Sequence, residues 1–100
     1  MPELCLTLLC PPAIEEKLLD LLLMSPAAPV FTHTTTSAHG LSAGKLSQAE
    51  QVLGRSRATQ IQVIFAAADK AELLEDIRRK CAGSGLYYWL TAVVEAGEIA

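Results

Sequence analysis

Between Glu3 and Cys10 the residues Leu4, Leu6 and Leu8 alternate with Cys5, Thr7 and Leu9. A period of two predicts a strand with one strongly apolar face. Pro11-Pro12 stops that strand, and Pro12 suits the first turn of a helix whose positive end Glu15 and Glu16 complement. Ile14, Leu18, Leu21 and Leu22 recur at helical spacing, which predicts an amphipathic helix from Ala13 to Met24. Ser25-Pro26 ends it, because the residue before proline avoids the helical region. Val30 to Ala38 is rich in Thr and β-branched residues and predicts a second strand. Thr59, Ile61, Val63 and Phe65 alternate with Gln60, Gln62 and Ile64, giving a third. Asp69 and Glu72 then open a second helix with the apolar stripe Leu73, Leu74, Ile77 and Cys81, and with Arg78, Arg79 and Lys80 at its negative end. On its solvated face Glu75 and Arg79, and Asp76 and Lys80, stand four apart, the spacing of an ion pair. Gly83-Ser84-Gly85 turns the chain into a fourth strand, Leu86 to Val94, which carries Tyr87, Tyr88 and Trp89.

The polar run from His33 to Arg57 breaks this regularity. Ser47-Gln48-Ala49-Glu50 has the capping-box pattern and Gly54 can cap the far end, so a short helix is expected from Gln48 to Leu53. A crossing this long in a small domain points to function, and we read residues 39–57 as an arm presented by a rigid scaffold. The order of elements is that of an α+β, ferredoxin-like βαββαβ domain over residues 1–100. It implies a four-stranded antiparallel sheet with both helices on one face and the arm between strands two and three.

Two helices cover only one face of such a sheet. The alternation assigns Cys5, Thr7, Leu9, Gln60, Gln62, Ile64, Tyr87, Trp89, Thr91 and Val93 to the other. A half-apolar face bearing Trp and Tyr is typical of a surface buried against a partner, so an oligomer is expected.

The bulk composition agrees. Hydrophobic residues make up 51% of 100 residues, with only five aromatics, an excess that oligomerisation hides. The net charge of −3 argues against a nucleic-acid or anionic-membrane partner. Cys5, Cys10 and Cys81 form no CxxC pair and read as reduced thiols of a cytosolic protein. The opening Met-Pro-Glu has no basic region of a signal peptide, and the run from Leu18 to Met24 is interrupted by Asp20 and too short to span a bilayer. A cytoplasmic location is expected.

With that plan, the phrases Glu3-Leu4-Cys5-Leu6-Thr7-Leu8, His39-Gly40-Leu41, Ala49-Glu50-Gln51-Val52-Leu53-Gly54-Arg55 and Tyr88-Trp89, with the ending Glu95-Ala96-Gly97-Glu98-Ile99, resemble the PII-like superfamily. The chain looks most like a branch of small bacterial proteins encoded beside heavy-metal efflux pumps of the resistance-nodulation-division type. The resemblance covers essentially the whole chain. It implies a homotrimer with the three sheets facing inward, and an arm acting as a T-loop that touches a protein partner, here an efflux component. It also implies effector clefts between subunits, at positions corresponding to His39, Gly40, Arg55 to Arg57, Gly83, Ser84 and Gly85. Where PII continues into a phosphate-holding lysine, Gly85 is followed by Leu86 and Tyr87, and Arg55, Arg57, Arg78 and Arg79 are the cations available to replace it. CutA-type copper-tolerance proteins share the fold and trimer but not the long arm.

Among candidate chemistries, Gly40 to Ser47 fails as a phosphate loop: one residue is missing between the glycines, and Leu46 replaces the magnesium-binding Ser or Thr. Gly40 and Gly44 still leave backbone N–H groups accessible, and Lys45, Arg55 and Arg57 add positive charge for an anion. His33, His39 and Cys10 are the candidate metal ligands. On one straight strand the two histidines lie about 20 Å apart, so each would need a cysteine or the histidines of other subunits to complete a zinc or copper site. Cys10, at a strand end beside proline, is expected to be the accessible thiol, with Cys5 and Cys81 packed in the core. No base is placed to activate a nucleophile, and an acylphosphatase would need an arginine where Cys10-Pro11-Pro12 stands, so no enzyme is expected. The leading expectation is a PII-like trimeric sensor or adaptor with an adenine nucleotide or a divalent or copper ion as effector. The alternative is a CutA-like accessory protein that buffers or delivers metal.

Overall fold

A computed structural model describes residues 2–40 and 55–100. The predicted elements appear in the predicted order: β1 (Glu3–Cys10), α1 (Glu15–Met24), β2 (Val30–His39), β3 (Arg55–Ala66), α2 (Lys70–Cys81) and β4 (Tyr87–Val93). They form an antiparallel sheet in the order β2-β3-β1-β4, with the two helices packed on one face. This is an α+β, ferredoxin-like fold.

Leu4, Leu6, Leu8 and Cys10 lie opposite Phe65, Val63, Ile61 and Thr59. Leu18 and Leu22 of α1 and Leu73, Leu74, Ile77 and Cys81 of α2 close over that row, which gives a core of aliphatic side chains around Phe65. Burying each such side chain contributes roughly 1.5–3 kcal/mol. Thr59 is buried beneath the start of α1, where its hydroxyl donates to the Glu15 carboxylate.

Helix starts differ from expectation. Each α-helix is preceded by a single 3-10 turn, Pro12–Ile14 before α1 and Ala67–Asp69 before α2. Pro11 and Pro12 supply no N–H and fix φ, so the chain tightens through one short turn before the α ladder begins at Glu15. Asp69 stands at the N-cap of α2, but its side chain makes no capping bond. The exposed ion pair on α2 joins Arg79 to Asp76 at 3.0 Å, three residues apart rather than the expected four.

The span 39–57, read as the arm, is framed by strand pairing. His39 pairs with Arg55, Ala38 with Ser56 and Ser37 with Arg57, so both ends of that span belong to the β2–β3 ladder. The expected helix from Gln48 to Leu53, and Gly44 and Lys45, lie outside the described residues.

The second sheet face is as the alternation predicted. Thr7 lies between Gln62 and Trp89, Leu9 between Gln60 and Tyr87, and Cys5 between Ile64 and Thr91. The Tyr87 and Trp89 rings lie side by side, tilted at 58° with centroids 6.2 Å apart, and both they and Ile64 remain exposed.

Candidate functional site: the turn after the second helix

Gly83 and Gly85 both take positive φ, 74° and 84°, which side chains rarely adopt, so the Gly-Ser-Gly order is what lets α2 reverse into β4 within the five residues 82–86. Ser84 sits between them, and its backbone N–H and hydroxyl both donate to the Cys81 carbonyl, satisfying a free acceptor at the helix end. The turn opens a cavity of about 310 Å³ between α2 and the edge strand β4. Leu8, Leu74, Ile77 and Leu86 make its apolar wall, and Cys81 joins them. Arg78 and Tyr88 join Ser84 as polar lining, with the guanidinium donating to the phenol oxygen at 3.4 Å. Burial raises the Cys81 thiol above its ordinary range, with Lys17 opposing the shift.

The sequence-predicted site residues fall into two groups. Gly83, Ser84 and Gly85 line the cavity. His39, Gly40 and Arg57 do not, and the strand order explains why: they lie on or next to β2 and β3, and β1 separates β3 from β4. Both groups nevertheless lie at the same end of the sheet, since Tyr87 stands opposite Leu9 and Cys10 opposite Thr59, four residues from the Arg55 rung. His39 and Arg57 are exposed residues and Gly40 has φ of 83°. The period of two placed Tyr88 on the helix-facing side, but its place on an edge strand that α2 only partly covers could not be read without the sheet order.

The candidate metal ligands do not converge. His33 and His39 are both exposed on β2, whereas Cys10 lies two strands away in the core. Among the described residues no group of three His, Cys, Asp or Glu side chains could hold a metal ion. The expected accessibility of Cys10 is overturned. Cys10 has no exposed surface, because it shares the inward side of β1 with Leu6 and Leu8, and its thiol donates to the Pro11 carbonyl at 3.4 Å. Burial first, then the charges of Glu15 and Cys81, push it up to about 12. Cys5, expected in the core, is the partly exposed thiol on the open sheet face.

A second, larger cleft of about 640 Å³ lies between α1 and α2, where Lys17, Arg79 and Lys80 mix with Asp20, Asp69, Glu72 and Asp76. Its mixed walls single out no ligand charge.

The family model described as "protein of unknown function (DUF3240)" matches residues 1–100. The chain belongs to the DUF3240 family. Its fold is similar to the crystal structure of a DUF3240 family protein from Shewanella baltica OS155, with a TM-score of 0.81, 17% identity and coverage of 98% of this chain and 97% of that one. It is also similar to CPII, a nitrogen regulatory PII-like protein from Thiomonas intermedia K12 whose structure holds ADP, AMP and bicarbonate. There the TM-score is 0.73 at 17% identity, covering 99% and 98% of the two chains. CutA1 from Pyrococcus horikoshii follows at 0.69 and 14%, covering 96% and 87%. No curated protein matches in sequence. At these identities the likeness is one of fold. No helix among the described residues is long and apolar enough to cross a membrane.

Proposed function

We propose that the protein is a PII-like homotrimeric sensor or adaptor of the cytoplasm. A small effector binds at clefts between subunits, and the arm between β2 and β3 carries the signal to a protein partner, an efflux component in a heavy-metal resistance system. One observation carries this reading: the cavity at the Gly83-Ser84-Gly85 turn opens at the same end of the sheet from which the arm leaves. In a single chain β1 stands between the cavity and the arm. A neighbouring copy would bring a second arm base to the cavity, and the exposed Tyr87, Trp89 and Ile64 supply the apolar face for that association. The whole-length likeness to a PII-like protein holding ADP and AMP supports an adenine nucleotide as the first effector to try. Leu86 after the turn replaces a phosphate-holding cation, so Arg78 and the arm-base arginines take that task. Binding then shifts the arm only by the difference in the effector's affinity for its two states. No catalytic role is assigned.

Native mass spectrometry of the protein, alone and with ADP, AMP, ATP, Zn2+ or copper, tests this reading. The expected result is a trimer that gains up to three nucleotide adducts. A monomer overturns the cleft, and stoichiometric metal without nucleotide overturns the nucleotide.

A further inference from the structure

The charges of the larger cleft are mixed as a set but ordered by position. β1 and β3 are antiparallel and each helix returns against the strand before it, so α1 and α2 run in opposite directions. Glu15, at the start of α1, bonds Thr59, which stands opposite Cys10. By contrast, α2 begins soon after Ala66, which stands opposite Glu3 at the other end of the sheet. Lys17 therefore lies beside Arg79 and Lys80, and its charge reaches Cys81 in the same turn. Met24 and the turn Ser25-Pro26-Ala27 lie beside Asp69 and Glu72, with Asp20 and Asp76 between the two ends.

Asp76 and Arg79 pair with each other at 3.0 Å, which leaves Lys17 and Lys80 at one end and Asp69 and Glu72 at the other for a ligand. Leu21, Pro26 and Leu73 supply an apolar wall, and at the acidic end Met24 is 84% exposed beside Leu23 at 71%. Two long aliphatic side chains left in water at the lip of a groove mark a surface that a partner covers. A ligand of one sign is repelled at one end, which sets aside nucleic acid and an anionic membrane. A second copy related by a twofold axis would meet each end with its opposite charge, but it would also lay its own Met24 and Leu23 against the ammonium groups. The seat between two antiparallel helices fits a third helix. From Asp69 to Lys80 the groove wall runs about 16 Å, or about three helical turns. A helix with acids in its first turn and bases in its last matches both ends.

We propose that the groove between α1 and α2 is a docking site for an amphipathic helix of a protein partner. The acidic first turn of that helix lies against Lys17 and Lys80, its basic last turn against Asp69 and Glu72, and its apolar stripe against Leu21, Leu73 and Met24. So placed, it runs antiparallel to α2, and the two helix dipoles attract. The helices cover the sheet face opposite the one assigned to subunit contact, so the groove stays open in the assembly. It gives each subunit a partner surface separate from the arm and from the effector cavity.

Fluorescence anisotropy of the full chain with two labelled, lactam-stapled helices of about fifteen residues provides the test. One carries glutamates in its first turn, lysines in its last and leucines at helical spacing between them, and the other exchanges the glutamates and lysines. The first is expected to bind about tenfold more tightly, with the difference shrinking as salt rises. Met24→Lys, at an exposed position where folding is little affected, is expected to weaken the first helix about tenfold. Lys17→Glu together with Lys80→Glu is expected to reverse the preference between the two helices. Equal binding of both, binding of neither up to millimolar concentration, or amide shifts confined to the Gly83-Ser84-Gly85 turn in an NMR titration overturns the proposal. A rise in assembly mass with protein concentration that Met24→Lys removes would give the groove to a second copy and overturn it as well.

Discussion

The Arg78 guanidinium donates to the Tyr88 hydroxyl at 3.4 Å, joining the last turn of α2 to the edge strand at the cavity both residues line. Both side chains are exposed and the bond is long, so it contributes little to folding. Tyr88→Phe and Arg78→Ala are expected to shift unfolding free energy by less than about 0.5 kcal/mol. Their effect should appear instead in effector affinity measured by calorimetry. A large loss of thermal stability in Tyr88→Phe would show that the pair is structural.

On the open sheet face, Trp89 stands opposite Thr7 beside Tyr87 and leaves about 40% of its surface exposed. Trp89→Glu places a charge on the surface assigned to subunit contact. Light scattering coupled to gel filtration should report a single-chain mass, with circular dichroism unchanged. An unaltered assembly mass would move the contact to another face.

Thr59 is buried and its hydroxyl donates to Glu15, which fastens the start of α1 to β3. Thr59→Val removes that donor while keeping the shape. Glu15 is partly exposed and can recover water, so the expected loss is about 1–2 kcal/mol in urea unfolding. No loss would mean that the bond contributes no net stability.

The three thiols should differ in reactivity. Cys5 is partly exposed, whereas Cys10 and Cys81 are buried with raised thiol pKa. In the single chain released by Trp89→Glu, Ellman's reagent at pH 8 should therefore modify one thiol quickly, removed by Cys5→Ser, and the other two only on unfolding. The same shift fixes a pH trend. Because the folded pKa of Cys10 is raised from 9.0 to about 12, the unfolded chain loses its proton first. Its contribution to stability is complete below pH 9.0 and falls as pH rises toward about 12. Denaturant midpoints across that alkaline range should fall less steeply in Cys10→Ala.

The ladder holds β2 and β3 together as far as His39 and Arg55. Deleting Ser42 to Leu53 and joining the ends with a short glycine linker should therefore leave the assembly mass intact and abolish partner binding, measured by co-purification. Collapse of the assembly would show that the arm is not separable.

What the sequence determined by itself was whatever depends on near neighbours in the chain. The alternation in Glu3 to Cys10 and in Thr59 to Phe65, and the helical spacing of Leu73, Leu74, Ile77 and Cys81, state which side of each element is apolar, because side-chain direction follows backbone period. That was enough for the element order, the fold class and the membership of the open sheet face. Cys10 shows where such reasoning stops. Its alternation put it on the inward side with Leu6 and Leu8, yet its place beside Pro11 suggested a frayed strand end. Only the packing of α1 and α2 over that end decided that it is sealed. The arm base was likewise hidden, since the rung from His39 to Arg55 joins residues far apart in the chain and neither flanking sequence has a strong strand pattern. The cavity belongs to the same class. Leu8, Leu74 and Tyr88 come from three elements, and their meeting at an edge that α2 covers only in part is fixed by the order β2-β3-β1-β4, a relation among distant segments that no local period encodes.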